Sequence, residues 1–294
     1  MAECTSRRSN EWDCGDRLSI GRNELANYKL PITNYSFSVT LSVVIITFNE
    51  ETNLPRTLES VKWAEEIIVV DSHSTDRTVE IANEFGAKVF VEPWKGFAGQ
   101  KNSAINKATC EWVLSIDADE VVPSDLRLEI QKVLAESSDA GAPDGYWMPR
   151  MNYILGRWMR HGGYWPDHKL RLFRRGKGHL PDRAVHETIH VDGKLGFLQE
   201  PLFHEPYPTL ATYIEHMDRY SSLGATMAIE KGQDRFSFVN IAIRPAWTFF
   251  YNYIVRLGFL DGREGLLLHL YHSVYVSWKY AKAWELGKKQ SSSD

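Results

Sequence analysis

Cysteine is scarce: Cys4, Cys14 and Cys110 are the three in 294 residues. Three cysteines cannot build a disulfide framework, which points to a reducing compartment. Long uncharged apolar runs are also missing. Even the aromatic-rich stretches after Phe236 fall short of the roughly 20 residues that a spanning helix needs. Net charge is small, −4 with histidine neutral, so there is no global basic signature of a nucleic-acid binder. Residues 1–38 are polar, mixed in charge and without hydrophobic period. They lack the apolar core of a signal peptide, so the expectation is a flexible tail and no secretion. What is present, 43% hydrophobic and 12% aromatic residues, describes a globular chain long enough for one large α/β domain with an appended segment.

The most informative motif is Asp117-Ala118-Asp119, directly after the apolar run Trp112-Val113-Leu114-Ser115-Ile116. A strand that delivers two carboxylates at its carboxyl end puts them at the ligand-binding edge of an open α/β sheet. Alternation along an extended chain is expected to turn both aspartates to one side and Ala118 away. Two hard oxygen donors suit Mg²⁺ or Mn²⁺, which in turn grips a diphosphate. Upstream, Ser42 to Phe48, Ile67 to Val70 and Lys88 to Val91 read as strands, alternating with helical patterns at Leu54/Leu58/Val61, Thr78 to Phe85 and Gln100 to Ala108. Such alternation implies parallel pairing. Thr47 to Glu50, Asp71 and Asp117/Asp119 then emerge at one edge, as in a nucleotide site.

Those segments, with Gly99-Gln100-Lys101-Asn102, His168-Lys169-Leu170-Arg171-Leu172-Phe173 and Val185-His186-Glu187, resemble family 2 glycosyltransferases of the GT-A fold. Within that family they are similar to the subfamily of lipopolysaccharide-core β-1,4-glucosyltransferases. The resemblance runs from about Leu41 to the end. His73 departs from it, since the family more often has a small residue there. It implies a mostly parallel central sheet flanked by helices (39–122 the nucleotide-binding half, 123–235 the acceptor half) and a C-terminal helical segment, 236–294. It also implies a nucleotide-sugar donor, a UDP-hexose, and a glycan or glycolipid acceptor. Asp119 and His204 are the implied metal residues, the metal being Mg²⁺ or Mn²⁺. Asp117 is expected near the ribose, Asp71 near the base, and Thr47, Phe48 and Glu50 along the same pocket. Lys101 is expected near the phosphates, with Gly162 and Gly163 in a loop bordering the sugar. For Asp71 and Asp76 the structural alternative is capping of the following helix. For His204 it is a structural histidine. Arg171 and Arg174 could pair with phosphates or with nearby carboxylates.

His186-Glu187-Thr188-Ile189-His190 spells the zinc-protease pattern, which works only on a helix, where residues four apart lie about 5–6 Å apart. β-Branched Thr188, Ile189 and Val191, and a hairpin signal at Asp192-Gly193, argue for strand. There the two histidines would stand roughly 13 Å apart, too far to share a metal. By the resemblance Glu187 is the catalytic base, taking the proton from the acceptor hydroxyl in an inverting transfer. A salt bridge to Arg183 or Arg171 is its structural alternative. Trp147, Tyr153, Trp158, Tyr164 and Trp165 are either sugar-stacking rings or core.

After Phe236 aromatics and leucines dominate, bracketed by Arg244 and Arg256 and followed by Lys279, Lys282, Lys288 and Lys289. Such helices suit a membrane interface, or else pack on the catalytic domain or a second subunit. The expectation is therefore a metal-dependent, inverting hexosyltransferase acting on an envelope glycan at the inner face of the cytoplasmic membrane. The alternatives are a peptide or protein acceptor, and a non-catalytic nucleotide-sugar-binding scaffold.

Overall fold

The β-branched runs form the centre of a seven-stranded sheet. In the computed structural model, which describes residues 39–138, 141–181 and 188–291 with side chains to 288, β1 (Leu41–Thr47), β2 (Glu66–Asp71), β3 (Lys88–Val91) and β4 (Trp112–Asp117) run parallel. They alternate with α1 (Leu54–Val61), α2 (Thr78–Glu84) and α3 (Gly96–Lys107). The tail expected at 1–38 lies outside the described residues, as do His186 and Glu187. α3 begins four residues before the expected Gln100. Gly96-Phe97-Ala98-Gly99 has poor helix propensity, and burial of Ala98 against the sheet overrides it.

The second half continues through β5 (Glu120–Val121), α4 (Ser124–Ala135), β6 (Gly145–Met148), β7 (Arg150–Ile154) and β8 (Arg157–Trp158). Then come β9 (Lys169–Arg174), β10 (Gly178–His179), β11 (His190–Val191), β12 (Leu195–Phe197), β13 (Leu202–Tyr207) and α5 (Leu210–Glu230). The large sheet has the order β12-β6-β9-β4-β1-β2-β3, with β9 the antiparallel strand. Strands from both expected halves therefore share one sheet. Beside it, β5-β13-β7-β8 forms a four-stranded sheet. Asp192-Gly193 is not a hairpin: β11 pairs with β10, whereas β12 joins β6, so the turn passes between two sheets. Local turn chemistry specified the reversal but not the partner.

The core lies on both faces of the large sheet. Leu54, Leu58, Ile81, Leu126 and Ile130 from α1, α2 and α4 cover one face, and Ala104 and Ile105 of α3 the other. Each fully buried leucine or isoleucine contributes about 1.5–3 kcal/mol. β1 is buried along nearly its whole length, as expected of a strand covered on both faces.

The C-terminal segment runs through α6 (Arg244–Phe249), flanked by wide-wound helical stretches at Val239–Ile243 and Phe250–Val255, and a short 3₁₀ turn at Gly258–Asp261. α7 (Gly262–Ser291) then packs back along α5, with Ala225 and Ala228 against Tyr280 and Ala283. The described residues thus belong to one compact unit. No described helix is long and apolar enough to cross a membrane.

Candidate active site

Parallel register brings the three polar clusters to one edge. Thr47 lies opposite Asp71, and Ile46 opposite Asp117. Thr47 and Asp71 are fully buried beneath the edge loops. Asp71 Oδ1 accepts from Thr47 Oγ1 (2.9 Å) and Ser74 Oγ (2.5 Å), and its Oδ2 accepts from the Ser74 amide (2.8 Å). It therefore anchors the 71–76 loop, while Asp76, one residue before the Arg77 N-cap, accepts from the Thr78 amide at the start of α2 (3.0 Å). Asn49, in a left-handed conformation (φ 56°), knits the two loops, its amide donating to Ser74 Oγ and its Oδ1 accepting from the Thr75 amide (both 2.8 Å). His73 also has a positive φ (61°), which explains why a small residue suits that position. Phe48 is half exposed at the rim.

The Asp-x-Asp geometry differs from expectation. The strand ends at Asp117, and Ala118-Asp119 is a turn, not a continued strand. The Asp117 amide donates to Glu120 Oε2 (2.9 Å), closing the turn, and the Ala118 carbonyl accepts from Thr57 Oγ1 (2.7 Å). Alternation thus does not aim Asp119; the turn and the β5–β13 ladder do. In that ladder His204 faces Glu120.

The ladder sets His204 Nε2 3.4 Å from Asp119 Oδ2. Asn152 donates through Nδ2 to the Tyr164 carbonyl (3.2 Å) and Asp167 (3.3 Å), which leaves its Oδ1 to accept from His204 Nδ1 (2.6 Å). That bond assigns a proton to Nδ1, so Nε2, the ring nitrogen that faces Asp119, is the one that would turn a lone pair to a metal in place of its hydrogen bond to the carboxylate. Burial raises the Asp119 pKa, but the His204 hydrogen bond and charge outweigh it, holding the carboxyl below its usual range. One carboxylate and one imidazole are donors that would suit a divalent cation, with diphosphate or water oxygens needed to complete its shell. No group of three metal-binding side chains exists among the described residues.

Asp117 stands between two cations, Lys101 Nζ at 2.6 Å and Arg171 Nη2 at 2.5 Å. Burial opposes its ionisation, yet Arg171 and Lys101 prevail and hold it well below the usual carboxylate range. Arg171 also binds Glu120 (2.6 Å), and Glu120 binds Arg150 (3.0 Å), which reaches Asp167 (2.7 Å). Glu120 and Arg150 were missed as site residues, although Glu120 follows Asp119 directly. Arg171 pairs with site carboxylates, while Arg174 lies away from the edge, on Glu111 and Asp144. Glu50 is different. Burial, with Asp119, Asp76 and Asp117 nearby, pushes it up to about 7 despite a hydrogen bond from Asn53.

A cavity of about 360 Å³ opens beside His204, at the lower end of the roughly 300–1,000 Å³ typical of small-molecule sites. Arg150, Asn152, Gly163 and Asp167 line it, together with Tyr207, Tyr213, Tyr220, His272 and Tyr275. Tyr164 joins them, its phenol pushed up to about 12 by burial, so the ring presents a neutral hydroxyl. Of the expected sugar-stacking rings, Tyr164 lines this cavity, whereas Trp158 packs on Trp165 and Tyr153 on Phe203. His272 and Tyr275 come from α7, and no local sequence signal marks them.

Comparisons with known proteins place the chain in a family. The profile described as "Glycosyl transferase family 2" matches residues 42–191. A lipopolysaccharide core biosynthesis glycosyltransferase, LpsC of Rhizobium meliloti, is 31% identical over 257 residues, covering 83% of this chain and 92% of that protein. An uncharacterized glycosyltransferase of Rickettsia conorii is 32% identical over 254 residues, covering 80% and 86%. Among solved structures, the mannosyltransferase PcManGT of Pyrobaculum calidifontis, in complex with GDP-Man and Mn²⁺, is 14% identical with a TM-score of 0.48, covering 85% of this chain and 88% of that one. Strand-end carboxylates, a parallel sheet and a matched profile over half the chain lead to one statement: this chain belongs to glycosyl transferase family 2.

Proposed function

We propose that this glycosyltransferase moves a hexose from a nucleotide sugar, a UDP-hexose, onto an envelope glycan acceptor such as lipopolysaccharide core, with inversion and with Mg²⁺ or Mn²⁺. The observation that carries the reading is the Asp119–His204 pair, set beside the Lys101–Asp117 pair and opening onto the tyrosine-lined cavity. Asp119 and His204 would hold the metal, which when bound neutralises charge on a departing diphosphate. Lys101, released from Asp117, would meet a phosphate oxygen, leaving Asp117 to accept from a ribose hydroxyl. Glu187 would take the acceptor proton.

The likeness to LpsC supports the acceptor class. Residues 236–260 contain two arginines and no acidic residue. Phe236, Phe238, Ile243, Trp247 and Ile254 along this segment are exposed, a large apolar face to leave in water. In this reading the segment docks on anionic lipid at the inner face of the cytoplasmic membrane, where a lipid-anchored acceptor is found.

The test is a thermal-shift screen of nucleotide sugars with and without Mn²⁺, followed by product analysis. UDP-hexose should stabilise the protein only with metal, because a ligand that binds the folded state raises its stability. Equal stabilisation in excess chelator would remove the metal from the reading.

A further inference from the structure

The loop that borders the cavity is held by the C-terminal segment, through one buried carboxylate. Asp261 is 2% exposed and ends the turn that follows the apolar stretch. Its Oδ2 accepts from the His161 amide (2.8 Å), and its Oδ1 accepts from the Arg160 amide (3.2 Å) and lies 2.8 Å from His161 Nδ1. One residue on, the Gly162 amide donates to the Arg256 carbonyl (2.9 Å). The His269 ring packs directly over Gly162 and the Arg256 guanidinium over Gly163, so a side chain at Gly162 would meet the ring and one at Gly163 would have to displace the guanidinium. Both glycines have positive φ, 66° and 90°.

The loop continues inward. Gly163 and Tyr164 line the cavity, and the Tyr164 carbonyl accepts from Asn152, whose Oδ1 orients His204. A continuous set of contacts therefore runs from Arg256 and Asp261, through residues 160–164 and Asn152, to the His204–Asp119 pair. At the other end of the segment, Ser277 of α7 donates to the Ile241 carbonyl (2.8 Å), and Arg244 bonds the Tyr280 hydroxyl. The segment is thus anchored to α7 at one end and to the cavity loop at the other, with its aromatic face left outward.

We propose that Asp261 is a positioning residue through which the apolar 236–260 segment sets the conformation of the 160–164 loop, so that docking on a lipid surface orders the acceptor cavity. This rests on the docking reading above.

The experiment is amide hydrogen exchange on the full chain, alone and with vesicles of phosphatidylglycerol and phosphatidylcholine, with flotation run in parallel. In the wild type, vesicles should slow exchange at the Arg160, His161 and Gly162 amides. Asp261→Asn should speed exchange at Arg160 and His161 by roughly tenfold, the effect of losing a hydrogen bond to a charged group. Vesicles should no longer restore protection, while amides in the central sheet stay as in the wild type. His161→Ala, at a half-buried surface position, should loosen the same loop and serves if Asp261→Asn does not fold. A protein that floats while its loop exchange stays unchanged overturns the coupling and leaves docking intact. Faster exchange throughout the sheet in both variants reduces Asp261 to a general structural role and also overturns it. Failure to float removes the docking reading and the proposal with it.

Discussion

The carboxylate edge and the cavity wall beside it are built in opposite ways. At the edge, charge is dense and nearly every group is paired: Asp117 with Lys101 and Arg171, Glu120 with Arg171 and Arg150, and Asp119 with His204. Where α5 and α7 line the cavity, they contribute tyrosines, His272 and Met217, and no carboxylate. The edge can exchange an internal partner for a ligand's charge, as Lys101 would in leaving Asp117 for a phosphate. The wall offers ring faces and neutral hydroxyls, which suit a sugar whose polar groups are uncharged. Charge that must respond to a ligand is placed on strand ends; shape that must fit one is placed on helices packed from far along the chain.

Asp119→Ala should have the largest effect, since it acts on the edge alone. Transfer should fall by on the order of 10²–10⁴-fold, matching several kcal/mol of lost charge stabilisation, with little change in melting temperature. Near wild-type turnover in this variant would break the assignment of the edge as the metal side. Glu187→Gln should lower transfer by about 10²–10⁴-fold while donor binding, read by calorimetry, survives. Donor affinity that collapses together with turnover would make Glu187 structural.

Arg171→Met asks whether the edge is also a stability element. It leaves Asp117 and Glu120 without their shared cation, and removing one partner of a buried pair costs about 3–5 kcal/mol. Chemical denaturation should show that loss at neutral pH; an unchanged midpoint would show that the buried charges are compensated elsewhere.

His272→Ala tests the wall. The Michaelis constant for the glycan acceptor should rise by less than about tenfold, the scale of one lost contact, with the donor constant unchanged. A change confined to the donor constant would erase the distinction between the two regions.

The smallest effect is at Glu50, and its sign depends on pH. The folded-state pKa is raised from 4.5 to about 7, so its contribution to stability is present below about 4.5 and is lost as pH rises through about 7. Glu50→Gln should therefore melt a few degrees higher than wild type at pH 8, at roughly 2–4 °C per kcal/mol, and close to wild type at pH 4.5. A shift of equal size at both values would show that its ionisation is not involved.

Much of the edge was readable from local pattern. Continuous β-branched runs alternating with helical patterns imply a parallel sheet buried on both faces, and that arrangement places Thr47, Asp71 and Asp117 at one end of neighbouring strands. Side-chain alternation, by contrast, misled at Asp119. Whether a strand continues past Asp117 depends on Glu120 folding back to its amide and on Thr57 capturing the Ala118 carbonyl, and neither interaction leaves a periodic trace. The closing pairs were less visible still. His204 reaches Asp119 because β13 pairs with β5, and two-residue strands such as Glu120–Val121 are too short to carry a hydrophobic period. His272 and Tyr275 reach the cavity because α7 packs on α5, a contact between distant segments that follows from where both buried faces fit. Sequence alone determined which segments become strands and helices, and which strand ends carry charge, since those depend on neighbours in the chain. Tertiary structure decided which partner each charge meets and what encloses the cavity, since those depend on residues that only packing brings together.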